Sequence, residues 1–471
     1  MNLNLKSILS NISHTFFANI ISSLISGVML IIVPKFMGVE QYGYWQLYVF
    51  YTTYIGFLHL GWCDGIYLRY GGQKYSDLDS SKFTTQFWLL LLMVIGFSGI
   101  IVTIQHIFIA DINKKIIIIM TCVCGLVQIQ RTFLFYILQG SGRIKEYARL
   151  MILDRVLFIG FLVLLLGLNI RNYLAIIIID IISRFFSLLV AAVLCRAMVV
   201  GQLQKLKLGI KEAKENISVG INLMAANIAS GLIIGIIRFG IEDKWNIETF
   251  GQISLALSLT NIILNFINMV AIVLFPMLRR TEQNKLSEIY IVLRKILILF
   301  ILGALVIYFP VKNILELWLP KYTMSFKYLG LIFPMCIYES KTSMLINTYL
   351  KNFRKEKWIL GINIGTVLLS IILSYFTIYL LEDLNMAIVS ITALTMIRCI
   401  VSEALLSSLL KITIVRETFQ EFCVSILFMI LCWYISKWYL SLLLYIFMYL
   451  VYVFINRIDI KNIFKIFKKL F

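Results

Sequence analysis

The chain has 471 residues, of which 61% are Ala, Val, Ile, Leu, Met, Phe, Trp, Tyr or Cys and only 14% are charged, about half the charged share of a soluble domain. Its mean hydropathy of +0.91 leaves too little polar surface to cover a water-soluble body, so lipid must be the solvent for most of it. Disorder and collagen-like repeats are excluded, and the net charge of +19 reads as membrane topology rather than an affinity for nucleic acid.

At about 20 apolar residues per crossing, the length accommodates about 14 transmembrane helices and no sizeable domain outside the bilayer. Apolar runs broken by charged turns predict helices near residues 12–34, 43–63, 83–109, 115–139, 150–168 and 172–197. A second set follows near 216–240, 250–278, 293–311, 327–349, 358–380, 385–410, 419–436 and 438–456. The runs are too long for β-barrel strands. The first is also too long and too polar for a signal-peptide core, and no small-residue cleavage site follows it. The eight cysteines have neither zinc-ligand nor redox spacing, and His14, His59 and His106 are scattered, so all are read as structural.

With the N-terminus inside, the cytoplasmic turns and tails hold about 28 Lys and Arg, against about 9 in the opposite turns. Both termini are therefore expected in the cytoplasm. Arg279, Arg280, Lys285, Arg294 and Lys295 show the bias best, and the tail Lys461, Lys465, Lys468 and Lys469 is expected on anionic head groups.

Ala18-Asn19-Ile20 recurs as Ala226-Asn227-Ile228, and Glu40-Gln41-Tyr42-Gly43 recurs as Glu248-Thr249-Phe250-Gly251, both at an offset of 208 residues. Lys145-Glu146-Tyr147 has a counterpart at Lys355-Glu356-Lys357, at nearly that offset. Each repeat carries six helices, an even number, so the copies keep the same orientation and a site is expected near mid-membrane between them. The expected layout is an all-α membrane protein with an N-lobe over 1–210, a C-lobe over 211–412, and two added helices with a basic tail over 413–471.

Ionisable side chains inside a hydrocarbon layer cost several kcal/mol unless they face protein or water, so they mark candidate sites. Arg131, Arg155, Arg184, Arg238, Lys341 and Arg398 lie within the predicted helices. Arg184 and Arg398 occupy similar depths in equivalent helices, as expected for guanidinium groups on two walls of an anion-attracting cavity. Arg suits phosphate because its planar fork donates two parallel hydrogen bonds and stays charged. Local neutralisation competes with this reading: Asp180 and Arg184 are i, i+4, and Asp154 adjoins Arg155. Arg131 and Arg398 have no carboxylate at helical pairing distance ahead of them, which favours substrate contact there. Asp180, Glu339 and Glu403 are the intramembrane carboxylates that could bind a coupling ion, Glu339 following the helix-loosening Pro334.

Ser254, Ser258, Asn261, Asn265 and Asn268 fall on one helix face, suiting either sugar hydroxyls or interhelical hydrogen bonds. The aromatic cluster Tyr44, Trp45, Tyr48, Tyr51 and Tyr54 fits interfacial packing better than sugar stacking.

The chain from about Asn11 to Leu410 resembles the Wzx-type polysaccharide repeat-unit flippases. These belong to the superfamily of multidrug, oligosaccharidyl-lipid and polysaccharide exporters. The residues that carry the likeness are Gly38-Val39-Glu40-Gln41-Tyr42-Gly43, Asp64-Gly65-Ile66-Tyr67-Leu68-Arg69-Tyr70-Gly71-Gly72, Phe275-Pro276 and Leu319-Pro320-Lys321-Tyr322. The resemblance implies two six-helix lobes in a V around a cationic cavity. It also implies alternating access that carries an undecaprenyl-pyrophosphate-linked oligosaccharide, for O-antigen or capsule, across the bacterial inner membrane, with coupling to a cation.

As a flippase, the chain is expected to use Arg131, Arg184, Arg238, Lys341 and Arg398 on pyrophosphate or acidic sugars, with Asn261, Asn265 and Asn268 on the glycan. Asp180, Glu339 and Glu403 are then the expected ion-coupling residues, with H+ or Na+ as the ion and no other cofactor or metal. Its expected partners are the lipid-linked glycan, membrane lipids, and the polysaccharide polymerase with its chain-length machinery; nucleic acid is not among them. A multidrug antiporter would show an acidic cavity, and the predicted helices over 12–34, 216–240 and 250–278 carry no carboxylate. A lipid II flippase is a third reading. An enzyme would need a long outer loop, and the longest outer turn, about 310–327, is short. Glu242-Asp243 and Glu382-Asp383 read as solvated pairs. No phosphate loop is present, so ATP does not drive a cycle directly.

Overall fold

The computed structural model describes residues 5–279, 282–435 and 437–457, and among them every regular element is a helix. Arg280 and the tail Lys461, Lys465, Lys468 and Lys469 lie outside the described residues, as do the side chains of residues 5–19, His14 among them, and of Phe275, Pro276 and Arg279. The elements are α1 (Leu5–Phe36), α2 (Val39–Ile55), α3 (Trp62–Tyr70), α4 (Ser80–Phe108), α5 (Ile112–Gly140), α6 (Ile144–Gly167), α7 (Tyr173–Leu194), α8 (Arg196–Val199) and α9 (Leu206–Lys244). There follow α10 (Ile247–Arg279), α11 (Leu286–Leu305), α12 (Tyr308–Trp318), α13 (Thr323–Ile332), α14 (Met335–Ser340) and α15 (Asn347–Asn352). The last are α16 (Glu356–Ser374), α17 (Leu384–Leu410), α18 (Val415–Tyr434) and α19 (Trp438–Ile455).

Lipid dictates this choice, because a helix satisfies its backbone hydrogen bonds internally where no water can. Each of the fourteen runs read from the sequence falls on a helix or on helices joined by a short break. Among the described residues, ten stretches are long and apolar enough to cross a membrane by length and composition. The chain is an all-α, multi-pass membrane protein. Several helices begin at carboxylate or amide caps that satisfy free backbone N–H groups: Asp79, Asp111, Asn172 and Asp383 start α4, α5, α7 and α17. The Ser81 hydroxyl and amide on Asp79 hold its carboxyl below the usual carboxylate range.

The repeat survives in the helix boundaries. α1 ends at Phe36 and α9 at Lys244, while α2 begins at Val39 and α10 at Ile247, so both pairs keep the offset of 208. The chain divides into two compact units, Met1–Ile228 and Ala229–Phe471, and the division falls within α9.

In the first unit, Leu60 (φ 51°) and Gly61 (φ 82°) adopt left-handed conformations that separate α2 from α3. Here α3 runs against the first half of α9 almost backbone to backbone. A Cβ on Gly65 would lie 1.9 Å from the Asn216 carbonyl oxygen, and one on Gly220 would lie 2.0 Å from that of Gly61. Beside this contact Arg69 pairs with Glu212 at 2.8 Å and Glu215 at 2.7 Å, and donates to Asn216 Oδ1 at 2.5 Å. Asn216 Nδ2 and Trp62 Nε1 both donate to Gln86 Oε1, at 2.5 and 2.7 Å, tying in α4. The segment Lys207 to Glu215, expected as a turn, is therefore helix, and α9 carries Glu212, Glu215, Glu242 and Asp243 toward its ends.

In the second unit, Tyr308, Phe309, Phe428 and Tyr445 form an aromatic centre with ring centroids 5.2–5.7 Å apart. The buried Tyr308 and Tyr445 hydroxyls donate to the Phe326 and Leu302 carbonyls, each at 2.9 Å. The region expected as the longest outer turn, about 310–327, is in large part helix, since α12 reaches Trp318 and α13 starts at Thr323. Pro334 stands at the start of α14, after α13 has ended at Ile332. Beyond α14, residues Lys341–Ile346 widen into π-helix, as do Tyr375–Leu380.

Candidate functional site

In the first unit, α5, α6 and α7 pack on one another and bring three arginines to two aspartates. Arg184 Nε donates to Asp180 Oδ2 at 2.8 Å, the i, i+4 pairing expected from the sequence, and Arg184 Nη1 donates to Gln128 Oε1 at 2.6 Å. From α2, the fully buried Tyr48 hydroxyl donates to the same Asp180 oxygen at 2.8 Å. Tyr48, read as packing, is thus a polar member of this cluster.

Arg131 does have a carboxylate, supplied by another helix: its Nη1 lies 2.8 Å from Asp154 Oδ2. One helical turn ahead of Arg131 no carboxylate stands, and sequence proximity alone pairs Asp154 with Arg155. The contact is loosely aligned. Arg131 Nε makes no hydrogen bond among the described residues, and Nη1 meets Asp154 as an ion pair without hydrogen-bond geometry. Arg155 interacts electrostatically with Asp154, Arg184, Asp180 and Arg131. Three guanidinium groups against two carboxylates leave this cluster at +1. The Arg131 and Arg184 side chains are 13% and 15% exposed, so the cluster keeps an open side.

In the second unit, Arg398 also has a carboxylate partner. Its Nη2 donates to Glu339 Oε1 at 3.0 Å and its Nη1 to the Ser230 hydroxyl at 3.2 Å, while its Nε has no hydrogen-bond partner among the described residues. The arginine side chain is 4% exposed and the glutamate 21%, so the carboxylate is the open end of the pair. Arg238 Nη2 donates to the Ser254 hydroxyl at 2.9 Å and its guanidinium lies over the Phe250 ring.

Lys341 and Glu403 lie deeper, in a closed set of four charges. Lys341 Nζ is 2.7 Å from Glu403 and 2.6 Å from Glu421, and Arg294 is 2.8 Å from each of the same carboxylates. The Tyr290 hydroxyl adds a hydrogen bond to Glu403 at 2.8 Å. None of the four charged side chains is more than 2% exposed. The set is neutral, and every member has two opposite partners, which is how buried charge is tolerated. Arg294, expected in a cytoplasmic turn, and Glu421, not singled out at all, therefore belong to an internal network.

Asn261, Asn265 and Asn268 are exposed, and no hydrogen bond reaches them from the described residues; Ser254 at the other end of the stripe is buried. The alternative reading of these amides as interhelical ties has no support within this unit. In the acidic pairs of the outer turns Asp243 and Glu382 are exposed, as expected, and they also make surface contacts: Asp243 accepts from Tyr379, Glu382 pairs with Lys244 at 2.6 Å, and Asp383 caps α17. His59 is buried and accepts from the Gly61 amide through Nδ1 at 3.0 Å. Among the described residues no group of three or more His, Cys, Asp or Glu could hold a metal ion.

The geometry can be set beside known proteins. A structure described as lipid II flippase MurJ in an inward closed conformation superposes with a TM-score of 0.67 at 12% identity, covering 96% of this chain and all of that one. A multidrug resistance MATE family transporter of the MOP superfamily, in its inward-facing conformation, gives 0.60 at 13% identity over 83% of this chain and 99% of its own. Its outward-facing form gives 0.55 at 13% identity, over 85% of this chain and 96% of its own. At these identities the likeness is one of fold. No curated protein matches the chain. Residues 8–282 match the polysaccharide biosynthesis protein family, and with more than half its length inside that match the chain belongs to this family.

Proposed function

We propose that this protein is a flippase that moves undecaprenyl-pyrophosphate-linked oligosaccharide repeat units from the cytoplasmic to the outer leaflet of a bacterial inner membrane, with both termini in the cytoplasm. The observation that carries the reading is the largely buried cluster of Arg131, Arg155 and Arg184 with Asp154 and Asp180, net +1, within a membrane-spanning helical unit. A cationic seat inside hydrocarbon recruits an anion, and Arg131, held to Asp154 by a loosely aligned ion pair, is the arginine most readily turned to phosphate oxygens. Within the second unit, Arg238 is the candidate for phosphate or acidic sugars, and Arg398, sealed behind Glu339, serves by holding that carboxylate and Ser230 in place. The exposed Asn261, Asn265 and Asn268 are the glycan-facing amides, since amides turned toward lipid would leave donors and acceptors unmet. Lys341 and Glu403 are assigned to architecture instead, because their partners enclose them.

Family membership in polysaccharide biosynthesis supports this reading, and so does the sign of the charge, which disfavours export of organic cations. The polysaccharide polymerase and its chain-length machinery are the proposed acceptors of the product. The test is mass spectrometry of lipids from a strain lacking this gene, with and without complementation. Accumulation of complete lipid-linked repeat units, with loss of surface polymer, is the expected result. Unchanged lipids with altered drug susceptibility would transfer the assignment to a multidrug antiporter; accumulated lipid II would transfer it to peptidoglycan precursor flipping.

A further inference from the structure

Each arginine of the first unit's seat that has a close carboxylate is already neutralised by it: Arg131 by Asp154 and Arg184 by Asp180, each at 2.8 Å. A diphosphate entering the seat must therefore compete with those carboxylates for the guanidinium donors. The competition has a definite charge balance. The empty seat carries three positive and two negative charges, and a diphosphate diester near neutral pH brings about two more negative charges. If both carboxylates stayed ionised, the occupied seat would fall from +1 to −1 in a region of low dielectric, with two displaced carboxylates lacking counterions. If each displaced aspartate takes a proton, the occupied seat stays at +1.

On the reading that this seat holds the diphosphate, we infer that substrate binding exchanges carboxylate for phosphate on Arg131 and Arg184 and draws protons onto Asp154 and Asp180. Protons are then bound with the substrate at one site. The proton comes from water reaching the open side of the seat, bonds to an aspartate Oδ, and returns to water when the phosphate leaves and the ion pair reforms. The groups facing Asp180 are Arg184 on its own helix, Tyr48 from α2, Cys124 from α5 and Arg155 from α6. Those facing Asp154 are Arg131 from α5, Arg155 on its own helix and Arg184 from α7. From α1, packed on α6, Lys35 is the one titratable side chain among the described residues, and it is exposed. Tyr48 remains a donor to Asp180 throughout and holds the protonated carboxyl in place.

The experiment is calorimetry of binding of a farnesyl-diphospho-sugar, a diphosphate diester with no ionisation of its own near neutral pH, to the purified full chain in lipid nanodiscs, in two buffers of different ionisation enthalpy at one pH. The difference between the buffers reads the protons taken up. The expected result is an uptake of about two protons per diphosphate in the native protein, falling by about one in Asp154→Asn or Asp180→Asn, which should bind more tightly and with a flatter pH dependence. Diphosphate binding with no proton uptake overturns the exchange and leaves the flippase reading standing. No binding in native protein or in either Asn variant overturns the seat itself. The native measurement stands alone if a variant fails to fold.

Discussion

Arg398 and Glu339, 59 positions apart in the chain, meet through Nη2 and Oε1 at 3.0 Å, with the arginine sealed and the glutamate partly open. A second guanidinium nitrogen holds Ser230 of α9. The pair thus joins α17, α14 and α9 through one planar group.

Arg398→Lys and Arg398→Ala should both insert in the membrane yet lose transport by roughly tenfold or more, the scale of one charge-assisted contact. A single ammonium cannot hold Ser230 and Glu339 in the same fork. Complementation of surface polymer, normalised to membrane-inserted protein, checks this. Full activity of the alanine variant would remove Arg398 from the site.

Glu421→Gln and Lys341→Met should each destabilise the second unit by about 3–5 kcal/mol, because each leaves an uncompensated buried charge. Joining both changes leaves Arg294 with Glu403, a neutral pair, so the double variant should cost clearly less than the two single losses combined. Thermal unfolding in detergent across the four proteins gives the coupling. Strict additivity would mean that the quartet does not act as a unit.

Gly65→Ala should be poorly tolerated, since its Cβ would lie 1.9 Å from a main-chain oxygen that cannot move aside alone. Gly99→Ala in α4 meets nothing within 4 Å and should be neutral or stabilising by up to about 1 kcal/mol. Yields of monodisperse protein compare the two directly. Equal yields would mean that α3 and α9 do not pack so closely.

Asn265→Leu and Asn268→Leu should leave folding intact, because neither amide hydrogen-bonds within the described residues. Transport should fall while diphosphate binding persists. Loss of stability instead would make these amides structural.

The helices were legible because lipid forces long apolar runs, and the repeat because its two matches share one offset. The ion pairs were legible only when a single helix supplied both partners, as with Asp180 and Arg184. Arg131 with Asp154, and Arg398 with Glu339, join different helices, and a one-dimensional search along one helical face cannot find them. The role of Arg294 is hidden for a related reason: a cation near the end of an apolar run looks like a topology signal until the fold places two buried glutamates around it. Glu421 stood out least, in a helix outside the repeat, yet it closes the quartet. Arg69 and Gly65 lie in the stretch that carries the family likeness, and the clamp on α9 gives that stretch a mechanical reason.

The widened turn at Lys341–Ile346 absorbs one residue beyond the α-helical count. Removing one residue there would return the turn to α geometry while keeping the two flanks nearly in phase. On one side Lys341 is fixed by Glu403 and Glu421; on the other, the Tyr349 hydroxyl holds the Leu286 carbonyl at 3.2 Å. Both attachments keep their places on the flanks if a single residue is lost from the turn, whereas a second loss, taken from α geometry, would rotate one flank by about 100° and break one of them. The segment therefore holds one residue in reserve between two fixed points.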